Sequence, residues 1–222
     1  PSDFAYDPKN PLDSARAYDS VTVGYMYRGQ EMTAALGRSR LARLHADTAR
    51  GQRVAQRLIE HLRELPGIRP QAVPDAAVHV WHKFRVVLDP HAAGIAEALP
   101  AERPTAFRDV VVDALAAEGV EAVLWQTRPL PAQGMFQTRQ GYGRGYPWSL
   151  VDGGADTYAE NYNPARYPQT QHLLDRSFCL FSQSHPLIAQ DEPLADAYGL
   201  ALRRIWEHLP ALVEAWRARK GW

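Results

Sequence analysis

The 222-residue sequence predicts an α+β fold, in which a long N-terminal helix packs on a small, mostly antiparallel sheet and a C-terminal helix closes the domain. Three observations predict this class. Apolar residues recur at steps of three and four along residues 28–65, and again along residues 193–218, as on one face of a helix. Between them a β-rich segment, a helical segment and a short apolar segment follow in order, which predicts a strand–helix–strand crossover.

The first long helix is predicted over residues 28–65, after an irregular N-terminal segment, residues 1–20, that is broken by prolines. Gly37 and Gly51 lie inside the helical pattern, and a glycine costs about 1 kcal/mol in a helix interior. We therefore expect a bend or break near Gly51. The pair Pro66–Gly67 is a typical stop signal and ends the helix.

The sheet is predicted from three strands, at residues 78–88, 121–125 and 178–181. In the first of them, strict alternation places every second side chain on one face, namely Val80, His82, Phe84 and Val86. A helix over residues 105–118 connects the first strand to the second, and Gly119 is the natural residue to end it.

The second half of the chain is predicted to hold a long loop between regular elements. Residues 126–163 show no clear helix or strand, and their many aromatic residues argue against disorder. Asn163 is expected to cap a helix over residues 164–177. The C-terminal helix is expected to be interrupted at Pro210.

Composition and charge exclude several classes of protein. Lys and Arg together number 25, as do Asp and Glu, so no basic field would attract nucleic acid. No apolar run approaches the roughly 18–20 residues of a spanning helix, so no membrane partner is expected. The single cysteine, Cys179, rules out a disulfide framework and any cysteine-based zinc site. Residues 1–12 do not resemble a signal peptide, so a cytoplasmic protein is expected.

No catalytic or metal-binding constellation stands out from spacing alone. The eight histidines include no H-E-x-x-H pair, and no metal site is expected. Residues 141–145 read GYGRG, but they lack the Lys–Ser/Thr pair of a phosphate loop, so a flexible loop is the better interpretation. Lys83 is expected at the surface. None of the three lysines is a convincing Schiff-base lysine: Lys9, Lys83 and Lys220.

One segment is more specific than any of these patterns. Residues 24–37 read GYMYRGQEMTAALG and are followed by LARL at residues 41–44. The combination resembles the signature of the DegT/DnrJ/StrS family, whose members are fold-type-I aminotransferases that use pyridoxal 5′-phosphate (PLP) on sugars and aminocyclitols. Further segments resemble later family motifs in the same order, so that the resemblance runs from about residue 21 to residue 212. These are LPGIR at 65–69, HVWHKF at 79–84, RPL at 128–130, YPQT at 167–170 and SHPL at 184–187.

The resemblance implies the small domain of such an enzyme, with residues 21–222 as an aminotransferase-like C-terminal domain from which the large PLP domain is absent. PLP would be bound mainly by a missing or partner segment, with Arg28 as a cofactor contact. The expected substrate contacts are Tyr25, Trp125, Arg128 and His185, and no catalytic residue is assigned. The expected partner is a lysine-bearing aminotransferase chain, in a homodimer or heterodimer. The expected small molecule is a keto-sugar or keto-aminocyclitol, in small-molecule or antibiotic biosynthesis.

Three positions depart from the family pattern. Met26 replaces an asparagine that reaches the partner's PLP phosphate in the family, and a thioether cannot donate a hydrogen bond. Gly29 replaces a methionine, and Pro131 replaces a histidine. PLP chemistry also needs a lysine, an acid at the pyridine nitrogen and a phosphate cup, which this chain does not offer in full. We therefore expect no activity from this chain alone.

Several interpretations stay open at this point. The chain is either a fragment of a full-length enzyme or a natural half-protein that completes a lysine-bearing subunit. A non-catalytic subunit that stabilises or gates a complete aminotransferase is the alternative function, and it requires an exposed apolar face on the first helix. An independent sugar-binding module would instead use the aromatic residues of segment 136–162.

Overall fold

The computed structural model describes residues 29–181 and 185–221. Within these ranges the chain forms seven α-helices and four strands, joined by short 3₁₀ turns. The helices are α1 (Glu31–Leu41), α2 (Leu44–Leu62), α3 (Ala106–Ala117), α4 (Gly134–Thr138), α5 (Pro168–Asp175), α6 (Glu192–Glu207) and α7 (Leu209–Lys220). The strands are β1 (Ile68–Pro70), β2 (Phe84–Leu88), β3 (Ala122–Val123) and β4 (Ser177–Leu180).

The four strands form one sheet in the order β1-β2-β4-β3, and every neighbouring pair is antiparallel. Cys179 of β4 lies opposite Arg85 of β2 on one side and opposite Val123 of β3 on the other. Strands β2 and β3 therefore run in the same direction on either side of β4, and α3 connects them. The predicted α+β class and the strand–helix–strand crossover are confirmed.

One face of the sheet carries the core. Alternate residues of β2 are buried, and α2 and α6 pack against each other along their length. The apolar face of α2 contributes Val54, Ala55, Leu58 and Leu62, all almost completely buried. The helical periodicity of the sequence predicts this apolar stripe. Burial of each large side chain in it stabilises the fold by about 1.5–3 kcal/mol.

The first helix is divided, but not at the predicted place. It breaks at residues 42–43, whereas Gly51 lies inside α2 and is buried. A Cβ atom at Gly51 would lie 3.0 Å from Cγ2 of Ile188, so this glycine permits close packing of α2 on the segment that follows β4. The expectation of a bend near Gly51 is wrong because tertiary packing, and not backbone flexibility, accounts for the glycine.

The predicted strand at residues 78–88 is shorter than expected. Only residues 84–88 pair, because Trp81 takes a left-handed conformation with φ 52° and its indole enters the core, 5.2 Å from the ring of Phe84. Val80 and His82 are consequently exposed and do not share the buried face of Phe84. Burial of the large indole outweighs the alternation that predicted these two side chains on the core face.

Of the remaining expectations, the ends of α3 and α6 are confirmed, whereas the helix predicted over residues 164–177 divides at Tyr167 into a 3₁₀ turn, residues 164–166, and α5. The strand predicted over residues 121–125 pairs only at Ala122–Val123. Gly119 ends α3 with φ 78°, and the side chain of Asn163 accepts a hydrogen bond from the amide of Ala165. The C-terminal helix breaks at His208, two residues before Pro210. Strand β1 escapes prediction because it has three residues and ends on a proline, which fits only a sheet edge. In the described part of the chain, no helix is both long and apolar enough to span a bilayer.

Candidate functional site

The second face of the sheet carries polar and ionisable side chains, unlike the core face. Arg85 of β2 donates from Nη1 to Oγ of Ser177 in β4 over 2.7 Å, and that hydroxyl donates to the carbonyl of Leu173 over 2.6 Å. Lys83 precedes β2, and its Nζ lies 4.0 Å from the centroid of the Trp125 ring, beyond the end of β3. This face therefore presents an aromatic ring with a cation over it, flanked by a second, hydrogen-bonded cation.

Cys179 lies in the middle of this face and is inert rather than reactive. It is buried at 1% exposure, and burial raises the pKa of its thiol, although the positive charges of Arg85 and Lys83 act in the opposite direction. A raised pKa leaves little thiolate near neutral pH, and the thiolate is the nucleophilic form. Cys179 is therefore a packing residue between the two neighbouring strands.

The predicted substrate contacts do not converge on one point within the described residues. Trp125 is half-buried under Lys83, whereas His185 is exposed and contacts Oε2 of Glu121 through Nδ1 at 3.1 Å. Glu121 and Trp125 flank opposite ends of β3, about 13 Å apart along an extended chain. Arg128 is exposed beyond Trp125. The other two predicted site residues lie outside the described residues: Tyr25, a predicted substrate contact, and Arg28, the predicted cofactor contact.

The aromatic segment 126–163 has more structure than its sequence suggests. It contains α4 and several 3₁₀ turns, and its larger rings pack on one another. The indole nitrogen of Trp148 donates to the hydroxyl of Tyr162 over 3.0 Å, and the ring of Phe136 lies 5.1 Å from that of Tyr162. These three rings are used in packing. Tyr142 and Tyr146 are more exposed and lie 5.7 Å apart.

Two open clefts flank α2, and spacing in the sequence pointed to neither. The larger, of about 1120 Å³, lies between α2 and residues 71–81, and its main charges are paired within the protein. Nε of Arg53 lies 3.0 Å from Glu192, and Nε of Arg57 lies 2.6 Å from Asp196. The smaller, of about 600 Å³, lies between the α1–α2 junction, residues 80–82 and residues 186–189, and it is rich in arginine.

The described residues do not by themselves fit PLP. Of the described lysines, Lys83 holds its ammonium group against Trp125, a contact that favours a charged group, whereas the PLP lysine must act as a neutral nucleophile. Lys220 is exposed at the end of α7. The expectation of a surface position is wrong for Lys83, which is half-buried. Among residues 29–181 and 185–221, no cluster of three or more His, Cys, Asp or Glu residues is arranged to hold a metal ion.

Comparison with known proteins agrees with the sequence motifs. The sequence profile of the DegT/DnrJ/EryC1/StrS aminotransferase family matches residues 9–149. The chain is similar to Protein MosB of Rhizobium meliloti, with 28% identity over 192 residues. The matched region covers 86% of this chain and 33% of MosB, so the chain spans about a third of the length of this curated relative.

Proposed function

Because this chain belongs to the DegT/DnrJ/EryC1/StrS aminotransferase family, we propose that it is the C-terminal part, or a half-subunit, of a PLP-dependent aminotransferase. Its role is to complete an active site whose lysine lies on another segment or on a separate chain. The substrate is a keto-sugar or keto-aminocyclitol, and the amino donor is glutamine or glutamate. The assembly is a dimer that belongs to small-molecule biosynthesis.

The exposed helix α1 is the observation that carries this proposal. All eleven of its residues are exposed, although Met32, Leu36 and Leu41 are large and apolar. An isolated helix of this length is only marginally stable in water, because its few hydrogen bonds barely outweigh the unfavourable free energy of nucleation. A covering surface is therefore needed, and the lysine-bearing segment of the enzyme is the natural one.

Three described residues have roles in this assembly. Trp125, with Lys83 over its ring, forms a wall of the substrate pocket. Arg128 is exposed and makes no side-chain hydrogen bond or ion pair within the described ranges, so its planar fork is available for the carboxylate of the amino donor. His185, held by Glu121, faces the substrate from the far end of β3.

The role of Arg128 has a direct kinetic test. In the active assembly, Arg128→Ala should raise the KM for the amino donor and leave the KM for the keto-sugar unchanged. Arg217→Ala, which removes an exposed arginine of α7, is the matched control. An unchanged donor KM in the Arg128 variant removes this residue from the role.

The alternative is a non-catalytic partner subunit that stabilises or gates a complete aminotransferase. It is favoured by the same exposed helix, together with the departures at Met26, Gly29 and Pro131. The two functions differ in one observable. A half-subunit is required for turnover, whereas a gating subunit changes the rate of a partner that is already active without it.

Docking through α1 is tested by a matched pair of variants. Leu36 of α1 and Leu200 of α6 are exposed to almost the same degree, 59% and 57%. In protein purified from its own host, Leu36→Glu should release the lysine-bearing chain and the PLP absorbance, and Leu200→Glu should retain both. If the lysine lies on the same chain, Leu36→Glu should lower the PLP content instead. Equal behaviour of the two variants contradicts the docking role.

A further inference from the structure

The smaller cleft beside α2 has an unbalanced charge. Its lining includes Arg40, Arg43 and Arg50 against a single carboxylate, Asp47, which leaves two positive charges when His82 is neutral. Arg50 contacts Asp47 only at 3.7 Å. The other two arginines make no side-chain ion pair within residues 29–181 and 185–221. The larger cleft differs, because its three arginines face three lining carboxylates, and Arg53 and Arg57 are paired with carboxylates of α2 and α6.

The chain geometry brings these charges together. Arg40 lies in the last turn of α1 and Arg43 in the break before α2, where the amide of Arg43 donates to the carbonyl of Arg40 over 3.0 Å. On the opposite wall, the left-handed backbone at Trp81 buries the indole and leaves Val80 and His82 lining the cleft. A bulky residue with positive φ is uncommon, and such conformations cluster at functional sites.

The size and lining of the cleft fit a small organic molecule. Its volume of about 600 Å³ is within the usual range for ligand pockets, roughly 300–1,000 Å³. Apolar surface lies beside the charges, from Leu44, Val80, Pro186 and Ile188. The cleft also borders α1, so under the proposed function it opens at the interface with the lysine-bearing segment. Ligand sites occur preferentially at such interfaces.

We infer that this arginine cleft binds the anionic group, a phosphate or a carboxylate, of a small-molecule ligand of the enzyme. Arg40 and Arg43 form charge-assisted hydrogen bonds to that group, and the neighbouring apolar surface contacts the rest of the ligand. The identification of the ligand with the sugar substrate or the amino donor rests on the proposed function. The positive charge of the cleft is observed in the structure and is independent of the proposed function.

Calorimetric titration of the purified protein, in the assembly in which it is isolated, tests this inference. The probes are glucose 6-phosphate, L-glutamate and the uncharged ring myo-inositol. We expect binding of at least one anionic probe, weakened by added salt, and no binding of myo-inositol. Preference for glucose 6-phosphate assigns the cleft to the sugar, and preference for glutamate assigns it to the donor.

Paired variants locate the binding. Arg40→Gln/Arg43→Gln should weaken the anionic probe about tenfold or more, as expected for the loss of hydrogen bonds to a charged group. Arg63→Gln/Arg217→Gln removes the same charge from exposed positions elsewhere and should leave the affinity unchanged. Equal affinity in the two double variants, or no binding of either anion, overturns the inference. So does loss of assembly with intact probe binding, which would make the cleft a protein contact and leave the proposed function standing.

Discussion

The contact between Gly199 and His61 sets how closely α2 and α6 approach, and Gly199→Ala tests it. A Cβ atom at this position would lie 2.3 Å from Cγ and 2.5 Å from Cδ2 of the imidazole. The ring cannot give way cheaply, because Cγ is the root of the ring and Nε2 is held 2.7 Å from Oδ1 of Asp196. Nδ1 lies 3.4 Å from a guanidinium nitrogen of Arg203, so the neutral tautomer protonated at Nε2 satisfies both contacts.

The expected loss follows from these contacts. Overpacking costs about 1–3 kcal/mol and occasionally more, and a contact this short with a ring that Asp196 holds in place puts the cost at the upper end of that range or above it, about 2–4 kcal/mol. The gain in helix propensity from glycine to alanine returns about 1 kcal/mol. We therefore expect Gly199→Ala to lower the free energy of unfolding by about 1–3 kcal/mol, measured by circular dichroism during urea denaturation.

Two controls make this test specific. Gly37→Ala adds a methyl group in α1 where no atom lies within 4 Å, and it should not destabilise the protein. In a His61→Ala background the methyl at Gly199 meets no ring, and the penalty should disappear. A Gly199→Ala protein as stable as the wild type, or a penalty that persists without His61, would show that this contact does not set the distance between α2 and α6.

Three further predictions concern charge and burial. Asp109 is 3% exposed and is held by two arginines and Thr105. Asp109→Ala should therefore lower the free energy of unfolding by about 3–5 kcal/mol in the same denaturation assay. Asp113→Ala, which breaks a more exposed ion pair, is the control and should lower it by at most about 1 kcal/mol. Cys179 should react with a thiol reagent such as Ellman's reagent only when the protein unfolds, because burial raises the pKa of its thiol and blocks access; rapid labelling of the native protein contradicts this. The hydrogen bond from Arg57 lowers the pKa of Asp196 in the folded protein below its usual value. The ionised Asp196 carboxylate therefore stabilises the fold fully above its pKa in the unfolded chain, about 4, and this stabilisation is lost as the pH falls through its pKa in the folded protein. Asp196→Asn should therefore flatten the acid limb of the stability curve, and an unchanged limb excludes this contribution.

The helices were predictable because their pattern is long and repeated. The apolar stripe of α2 and the glycine that ends α3 both follow from local rules. The break at residues 42–43 does not, since Ala42 and Arg43 are good helix formers and no proline or glycine marks the place. The left-handed conformation of Trp81 was equally hidden, because tertiary burial of the indole overrides a local β pattern.

The candidate site was predictable only in part. Trp125 emerged from its place among the family motifs, but its contact with Lys83 depends on strand β4, which lies between them in the sheet and comes much later in the chain. Similarly, the arginine cleft draws on three segments that are far apart in sequence. Spacing along the chain predicts contacts within one element, whereas these two features arise from how separate elements pack.

Under the proposed function, this chain completes a PLP site whose lysine lies on another segment or on a separate chain. Intact mass and the absorbance spectrum of protein purified natively from its own host test it most directly. We expect PLP absorbance together with a second lysine-bearing chain, or with a longer chain that contains this sequence. A colourless protein of 222 residues with no companion contradicts the proposed function. PLP absorbance from this chain alone also contradicts it, and would make Lys83 the first residue to mutate.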